Sequence, residues 1–150
     1  GALMSSVVDV LGADHRRCDA EFAQAEAAAG NADMARCAAL FQSFRRSLLR
    51  HFRMEEEVLF ADFEAATGSS AGPTGMMRQE HQMMRQLLDT LQRAVDENNS
   101  EDYLGAADTL MVLMQQHNMK EEGILYPMCD QVLAGQWESV RQRMQELPEE

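Results

Sequence analysis

Residues that make turns are scarce in this chain of 150 residues, which contains nine glycines and three prolines. A β sandwich or barrel needs many tight turns, so this composition argues against an all-β fold. Aromatic residues are also few, at 6%, whereas methionine occurs 12 times. Methionine, alanine, leucine, glutamine and glutamate favour helices, and we therefore expect an all-α protein.

Cysteine and apolar runs are equally limited. The three cysteines, Cys18, Cys37 and Cys129, form no CxxC pair, which argues against a disulfide framework and favours a reducing compartment. No apolar run approaches the ~18 residues that cross a membrane, and no secretory signal is recognisable. We therefore expect a cytoplasmic protein without a membrane partner.

Basic residues are outnumbered by acidic ones. Thirteen Lys and Arg stand against 25 Asp and Glu, so the formal net charge is −12. This charge repels nucleic-acid phosphates, and we expect no nucleic-acid partner. The hydrophobic content of 45% is typical of a globular chain, and the length suffices for one core. We therefore predict a single domain over residues 1–150.

Turn signals occur at residues 30–33, 67–73 and 98–100. The long segments between them carry apolar residues at alternating steps of three and four, which is typical of the buried seam of helices in a bundle. Because the connections are short, neighbouring helices should run antiparallel. We predict an up-down-up-down four-helix bundle with its core at about residues 5–134 and a short C-terminal helix at about 136–147.

Histidine gives the strongest functional signal. Each predicted long helix carries one histidine in its apolar seam, and these are His15, His51, His81 and His117. The midpoints of successive pairs are residues 33, 66 and 99, in or beside the predicted turns. Antiparallel helices bring residues equidistant from their turn side by side, so the four imidazoles should share one layer. Buried imidazoles need hydrogen-bond or metal partners, and four in one layer favour metal binding over a structural role.

Two glutamates extend this layer. Glu55 follows His51 by four residues, and Glu121 follows His117 by four. Four residues turn about 40° past a full helical turn and rise about 6 Å, so each His–Glu pair lies on one face of its helix. Helix bundles use this combination of carboxylates and histidines on facing helices to hold two metal ions.

The two halves of the chain resemble each other. His15 and His51 are 36 residues apart, as are His81 and His117, and Asp14-His15 matches Glu80-His81. Residues 51–60 (HFRMEEEVLF) also match residues 117–126 (HNMKEEGILY). Two similar hairpins that face each other would build a near-symmetric site for two equivalent metal ions.

The motifs occur in a fixed order: Asp14-His15, His51-x-x-x-Glu55-Glu56, Glu80-His81, His117-x-x-x-Glu121-Glu122 and Leu125-Tyr126-Pro127. In that order they resemble the hemerythrin-like (HHE cation-binding) domain over about residues 14–130. The resemblance implies a four-helix bundle that holds two iron ions as a non-haem di-iron centre, bridged by oxo or hydroxo. It implies the following ligands: His15, His51, His81 and His117 as terminal ligands, and Glu55 and Glu121 as bridges.

One position departs from the oxygen-carrying members of this family. Those members have an additional histidine one helical turn after the residue that corresponds to His81. This chain has Arg85 at that position. Their last carboxylate follows its histidine by five residues, which corresponds to Glu122, so Glu121 and Glu122 are alternatives for the second bridge. The ligand count leaves about two open positions on each octahedral iron. We expect such a site to suit sensing or redox chemistry better than reversible oxygen carriage.

Several neighbours of the histidines have more than one interpretation. Asp19, one turn after His15, is a candidate ligand, a partner for Arg85 or a surface charge. Cys18 is expected to fill space in the core. Tyr126 is expected to pack as Phe60 does in the matching place, with a role beside the irons as the alternative.

The acidic residues next to the predicted ligands are expected to lie outside the site. Asp14 and Glu80 point a step away from the histidine face, which favours cap or surface positions. Glu56 and Glu122 are expected at the surface or just behind the ligands.

The leading functional hypothesis is a di-iron protein that binds, senses or reacts with O2, peroxide or NO. The main alternative is an iron-handling protein, such as a store, donor or sensor of iron in stress repair. An interaction bundle with structural histidines and a zinc or manganese protein without redox chemistry are further alternatives. The sequence leaves open a protein partner, the oligomeric state and an oxidase- or peroxidase-type activity.

Overall fold

The computed structural model describes residues 6–149, and every regular element within them is helical. The elements are α1 (Val7–Gly30), α2 (Met34–Arg53), α3 (Phe60–Thr67), α4 (Pro73–Asp96), α5 (Ser100–Lys120), α6 (Tyr126–Val132) and α7 (Trp137–Gln145). The expected all-α class is therefore confirmed. Residues 1–5 and 150 of the predicted domain, including the first residue of its predicted core, lie outside the described part of the chain.

Short polar residues cap the N-termini of three of the long helices, α1, α2 and α5. The side chains of Ser6, Asp33 and Asn99 each accept a hydrogen bond from the backbone N–H three residues further on, at 3.0, 3.1 and 2.9 Å. Such caps satisfy one of the free N–H groups of the first helical turn. Gly68 ends α3 with a φ of 73°, a left-handed conformation that glycine adopts without strain. The turns therefore fall where the sequence predicts them.

Two π-helical segments interrupt the helices that carry the His–Glu pairs. Residues Met54–Leu59 connect α2 to α3, and residues Glu121–Leu125 connect α5 to α6. The structure differs here from the continuous α-helices that the apolar spacing indicates. π turns are rare and occur often at functional sites. Both segments begin within one residue of a predicted bridging glutamate.

The layer of histidines separates two apolar clusters. The first is built from residues that include Phe22, Phe41, Phe44, Leu88, Leu91, Tyr103 and Leu110. The second includes Leu11, Leu59, Phe60, Phe63, Met77, Tyr126 and Leu133. Along α1, His15 lies between Leu11 of the second cluster and Cys18 of the first, and His81 lies between Met77 and Met84 in the same way. The polar layer is thus enclosed by apolar packing above and below.

The short C-terminal helix packs against the first π segment. Val140 and Met144 of α7 are buried in the second apolar cluster together with Val58. The Arg50 guanidinium donates to the backbone carbonyls of Leu147 and Gln145, at 3.1 and 3.2 Å. Basic side chains at a helix C-terminus satisfy its free carbonyl groups. The helix α7 therefore holds the segment that carries Glu55.

None of the helices within residues 6–149 combines the length and the apolar character that crossing a bilayer requires.

Candidate metal centre

The six residues that the sequence singles out come together in one buried layer. His15 is 4% exposed, the other three histidines are 2% exposed or less, and Glu55 and Glu121 are completely buried. The helices α1 and α4 supply one histidine each. The other four residues come from α2, α5 and the two π segments.

The six side chains form two overlapping groups of donor atoms. One group contains His15, His51, Glu55 and Glu121, and the other contains His81, His117 and the same two glutamates. Within each group, all the donor atoms lie within 4.8 Å of one another. Both groups share both carboxylates, which is the arrangement that two bridged metal ions need.

The carboxylates turn different oxygens toward the two groups. Glu121 Oε1 lies 2.9 Å from His15 Nε2, while its Oε2 lies 3.2 Å from His117 Nε2. Glu55 Oε1 lies 3.1 Å from His81 Nε2 and 3.5 Å from His51 Nε2. The geometry thus favours Glu121 over Glu122 as the second inner carboxylate.

Four outer carboxylates bind the other nitrogen of each imidazole. Every Nδ1 atom lies 2.7 Å from a carboxylate oxygen. The pairs are Asp14 with His51, Glu56 with His81, Glu80 with His117, and Glu122 with His15. An Nδ1–H that donates outward leaves the Nε2 lone pair directed into the layer, which is how metal-binding histidines are oriented in proteins.

The roles of Asp14 and Glu80 correct the expectation that they are cap or surface charges. Each points off the histidine face of its own helix, but it thereby reaches the histidine of the next helix. The sequence carried a signal for these roles. The internal repeat places an acidic residue directly before His15 and before His81. Glu56 and Glu122 lie just behind the histidines, which is one of the two positions that the sequence analysis expects for them.

Basic side chains neutralise three of the outer carboxylates. Arg17 donates to Asp14 at 2.6 Å, and Lys120 pairs with Glu80. Arg85 forms two hydrogen bonds with Glu56, at 2.8 and 2.9 Å. The two inner carboxylates pair with no lysine or arginine among the described residues, so only the histidines of the layer lie close enough to offset their negative charge.

The position of Arg85 rules out one of the three interpretations of Asp19, namely that it pairs with Arg85. Its guanidinium binds Glu56 and lies 5.3 Å from the centre of the Phe52 ring. The Phe52 ring in turn stacks on His81, with centroids 4.0 Å apart. Arg85 therefore lies outside Phe52, which separates it from the inner donor atoms.

Ionisation in the metal-free layer reflects the charge of the two glutamates. Burial on its own lowers the pKa of His117, but Glu121 and Glu55 outweigh burial and raise the pKa to about 9. Burial likewise opposes the charged form of His51, yet Glu55 and Asp14 raise the pKa well above its ordinary value. Protonated imidazoles thus balance the carboxylates when no other cation is present, and a metal ion would replace those protons.

Four inner atoms test whether the residues fit a metal. Glu55 Oε1, Glu121 Oε2, His81 Nε2 and His117 Nε2 are buried and have no hydrogen-bond partner among the described residues. Unpaired buried polar atoms are costly. With Nδ1 protonated, each of these atoms offers a lone pair, and lone pairs that face one another need a shared cation. Imidazole nitrogens and carboxylate oxygens are donors that suit iron, zinc and manganese. The residues fit a metal site.

Two further residues of the sequence analysis have defined places. Tyr126 is buried, and its hydroxyl donates to Glu55 Oε2 at 2.6 Å. Of the two interpretations of Tyr126, a role beside the site therefore fits its position better than packing alone. Cys18 is buried with its pKa raised to about 12 by burial, and it belongs to neither donor group. It is a neutral thiol that fills space, as expected.

A groove reaches the layer from one side. It has a volume of about 600 Å³, and its lining includes His15, Asp19, Asn118 and Glu122. On the opposite side, Phe52 and Phe60 both stack on His81, with ring centroids 4.0 and 5.9 Å away. The His15 side of the layer is therefore the side nearer to solvent.

Comparison with known proteins gives one family. The family model described as "Hemerythrin HHE cation binding domain" matches residues 6–129. The chain matches no curated protein and no solved structure.

Proposed function

The chain belongs to the hemerythrin HHE cation-binding domain family, and from this premise we propose that it is a non-haem di-iron protein that binds, senses or reacts with O2, peroxide or NO. The observation that carries the proposal is the pair of donor groups that share Glu55 and Glu121. The two shared carboxylates suit two ions that lie close together and are bridged.

The proposed ligands divide evenly between the two ions. His15 and His51 hold one ion, His81 and His117 hold the other, and Glu55 and Glu121 bridge them. The unpaired inner atoms of the second group support this assignment, because they lack any other partner among residues 6–149. The outer carboxylates fix the imidazole tautomer and strengthen each histidine as a ligand.

Bound iron would supply open coordination positions for small molecules and a one-electron couple between its ferrous and ferric states. The chain provides the surroundings for this chemistry. The apolar clusters on both sides of the layer exclude water, and Phe52 and Phe60 cover His81. The groove beside His15 gives small molecules a route to the layer.

The proposed scaffold is an up-down-up-down four-helix bundle. Asp14 reaches His51, and Glu80 reaches His117, and both pairs join residues that are nearly equidistant from the turn between their helices. Such pairing is typical of antiparallel helices with short connections.

Metal content and spectra together test the proposal. Protein from iron-replete medium should contain about two irons per chain by elemental analysis, and the His51→Ala variant should lose most of them. Glu64→Gln, which alters a carboxylate of α3 that pairs with Arg78 of α4, is the matched control and should retain full iron. Mixing the ferrous protein with O2, peroxide or NO should change its optical spectrum.

Other outcomes would select the other candidate classes. Stoichiometric zinc or manganese despite available iron would favour a site without redox chemistry. Protein without metal would make the histidines structural. Full iron with no spectral response to any of the three small molecules would contradict the proposed reactivity.

An iron-handling role is the second candidate, and the groove favours it. Asp19 and Glu122 bring two carboxylates to its lining beside His15, which suits the passage of a cation. Glu122 is also the most exposed of the outer carboxylates, with 36% of its side chain accessible. Rapid loss of iron to a chelator, slowed by Asp19→Asn, would support this role over small-molecule chemistry.

A further inference from the structure

The phenol oxygen of Tyr126 lies among the donor atoms of the first group. It is 2.6 Å from Glu55 Oε2 and 3.0 Å from Glu121 Oε1. It is also 3.1 Å from His15 Nε2 and 3.4 Å from His51 Nε2. Tyr126 is completely buried. One hydroxyl proton cannot satisfy four neighbours, so a hydrogen bond to Glu55 accounts for only part of this placement.

These four distances match those between neighbouring ligands of one octahedral ion. Nitrogen and oxygen ligands lie about 2.1 Å from a first-row transition metal ion such as zinc. Two adjacent ligands at right angles are therefore about 3.0 Å apart. In an octahedron, each vertex has four adjacent vertices. The phenol oxygen has that relation to both imidazoles and both carboxylates of the first group.

We infer that Tyr126 is a fifth protein ligand to the metal ion held by His15 and His51. This inference rests on the proposed function, because it requires a metal in that position. The phenol oxygen binds the ion as phenolate. The O–H bond breaks as the oxygen–metal bond forms, and the proton passes to solvent, so this step releases one proton, in addition to those displaced from the histidines, with no change of oxidation state.

The internal repeat makes the two ions different. The residue that corresponds to Tyr126 in the first half is Phe60, whose ring stacks on His81 and offers no oxygen. The ion at His15 and His51 therefore has five protein ligands, and the ion at His81 and His117 has four. A near-symmetric frame thus holds an unsymmetric centre, with more open positions at the second ion.

Spectroscopy of the ferric protein tests the inference, with iron content measured on the same samples. A phenolate bound to ferric iron gives a visible charge-transfer band and phenolate vibrations in resonance Raman spectra. We expect both in the wild type and their loss in Tyr126→Phe, with circular dichroism unchanged. Tyr103→Phe is the matched control. Tyr103 is the other tyrosine of the chain, buried against Phe41 in the first apolar cluster, and the variant should keep both signals.

Two additional measurements keep the test independent of folding in the variant. Wild-type protein grown with ring-deuterated tyrosine should show shifted phenolate vibrations. Phe60→Tyr should add a second contribution to the charge-transfer band. Wild-type protein with full iron but no phenolate signal, or a signal that survives Tyr126→Phe, would overturn the inference and leave the proposed function standing. Wild-type protein that binds no iron would overturn both.

Discussion

Loss of an outer carboxylate should weaken metal binding without removing a ligand. Asp14 accepts from His51 Nδ1 and Glu80 accepts from His117 Nδ1, both at 2.7 Å, with 13% and 14% of the two carboxylate side chains exposed. Residues that orient a ligating histidine contribute roughly 10–100-fold to metal affinity, or about 1.4–2.7 kcal/mol. We predict losses in the upper half of this range for Asp14→Ala and Glu80→Ala, because their hydrogen bonds are largely shielded from water.

The predicted order of the variants follows from exposure. Glu122 makes the same 2.7 Å contact with His15 Nδ1, but 36% of its side chain is accessible, so water can replace it more easily. Glu122→Ala should therefore lose affinity near the lower end of the range. Asp14→Asn should lose less than Asp14→Ala, because an amide oxygen still accepts the Nδ1 proton.

Competition against a chromophoric chelator measures these affinities. Asp89→Ala is the control, because Asp89 lies on α4 with 69% of its side chain exposed, and its affinity should equal that of the wild type. The double variant Asp14→Ala/Glu80→Ala should affect both ions. A loss below threefold for Asp14→Ala, or a larger loss for Glu122→Ala than for Asp14→Ala, would refute the reasoning.

Three further predictions concern stability. Chelation should lower the melting temperature, since a ligand that binds the folded state stabilises it, and an unchanged value in calorimetry would contradict a metal in the core. In the metal-free protein the pKa of His117 is raised from 6.5 to about 9. The protonated imidazole therefore stabilises the fold fully below about pH 6.5, and this stabilisation is lost as the pH rises through 9. The melting temperature of the metal-free protein should therefore fall between pH 7 and 9, and a rise would show that its charge does not stabilise the fold. Met144→Ala should lower the free energy of unfolding by about 2–5 kcal/mol in urea titrations, whereas Met119→Ala, at an exposed position, should change it by less than about 0.5 kcal/mol. Equal effects of the two would mean that α7 does not contribute to the core.

The histidine layer could be predicted because the chain makes its turns over few residues. Turns of three to five residues leave little freedom in the register of a hairpin, so the midpoints of successive histidines gave their common depth. The apolar spacing likewise indicated which face of each helix is buried. The His51–Glu55 and His117–Glu121 spacings then brought both carboxylates to the layer, even though the chain becomes π-helical there.

The contacts between helices could not be predicted from spacing on one helix. Asp14 points away from the seam of α1, but the next helix lies on that side, and its histidine receives the carboxylate. Arg85 and Asp19 occupy matching places in the repeat, yet α1 packs mainly against α2 and α5, and α4 packs against the same two helices. Side chains on α1 and α4 therefore meet partners on the helices between them, and Arg85 binds Glu56 instead.

The four outer hydrogen bonds form a closed circuit around the molecule. Each one joins a carboxylate of one helix, or of the π segment that follows it, to the histidine of the next, in the order α1, α2, α4, α5 and back to α1. Apolar contacts have no preferred direction, whereas a 2.7 Å hydrogen bond breaks when its partners separate by even the 1.5 Å rise of one residue. Each of these four helices takes part in two of the four bonds, so displacement of any one of these helices breaks two bonds. The circuit therefore fixes the axial register of the long helices, and the donor atoms are aligned before a metal ion arrives.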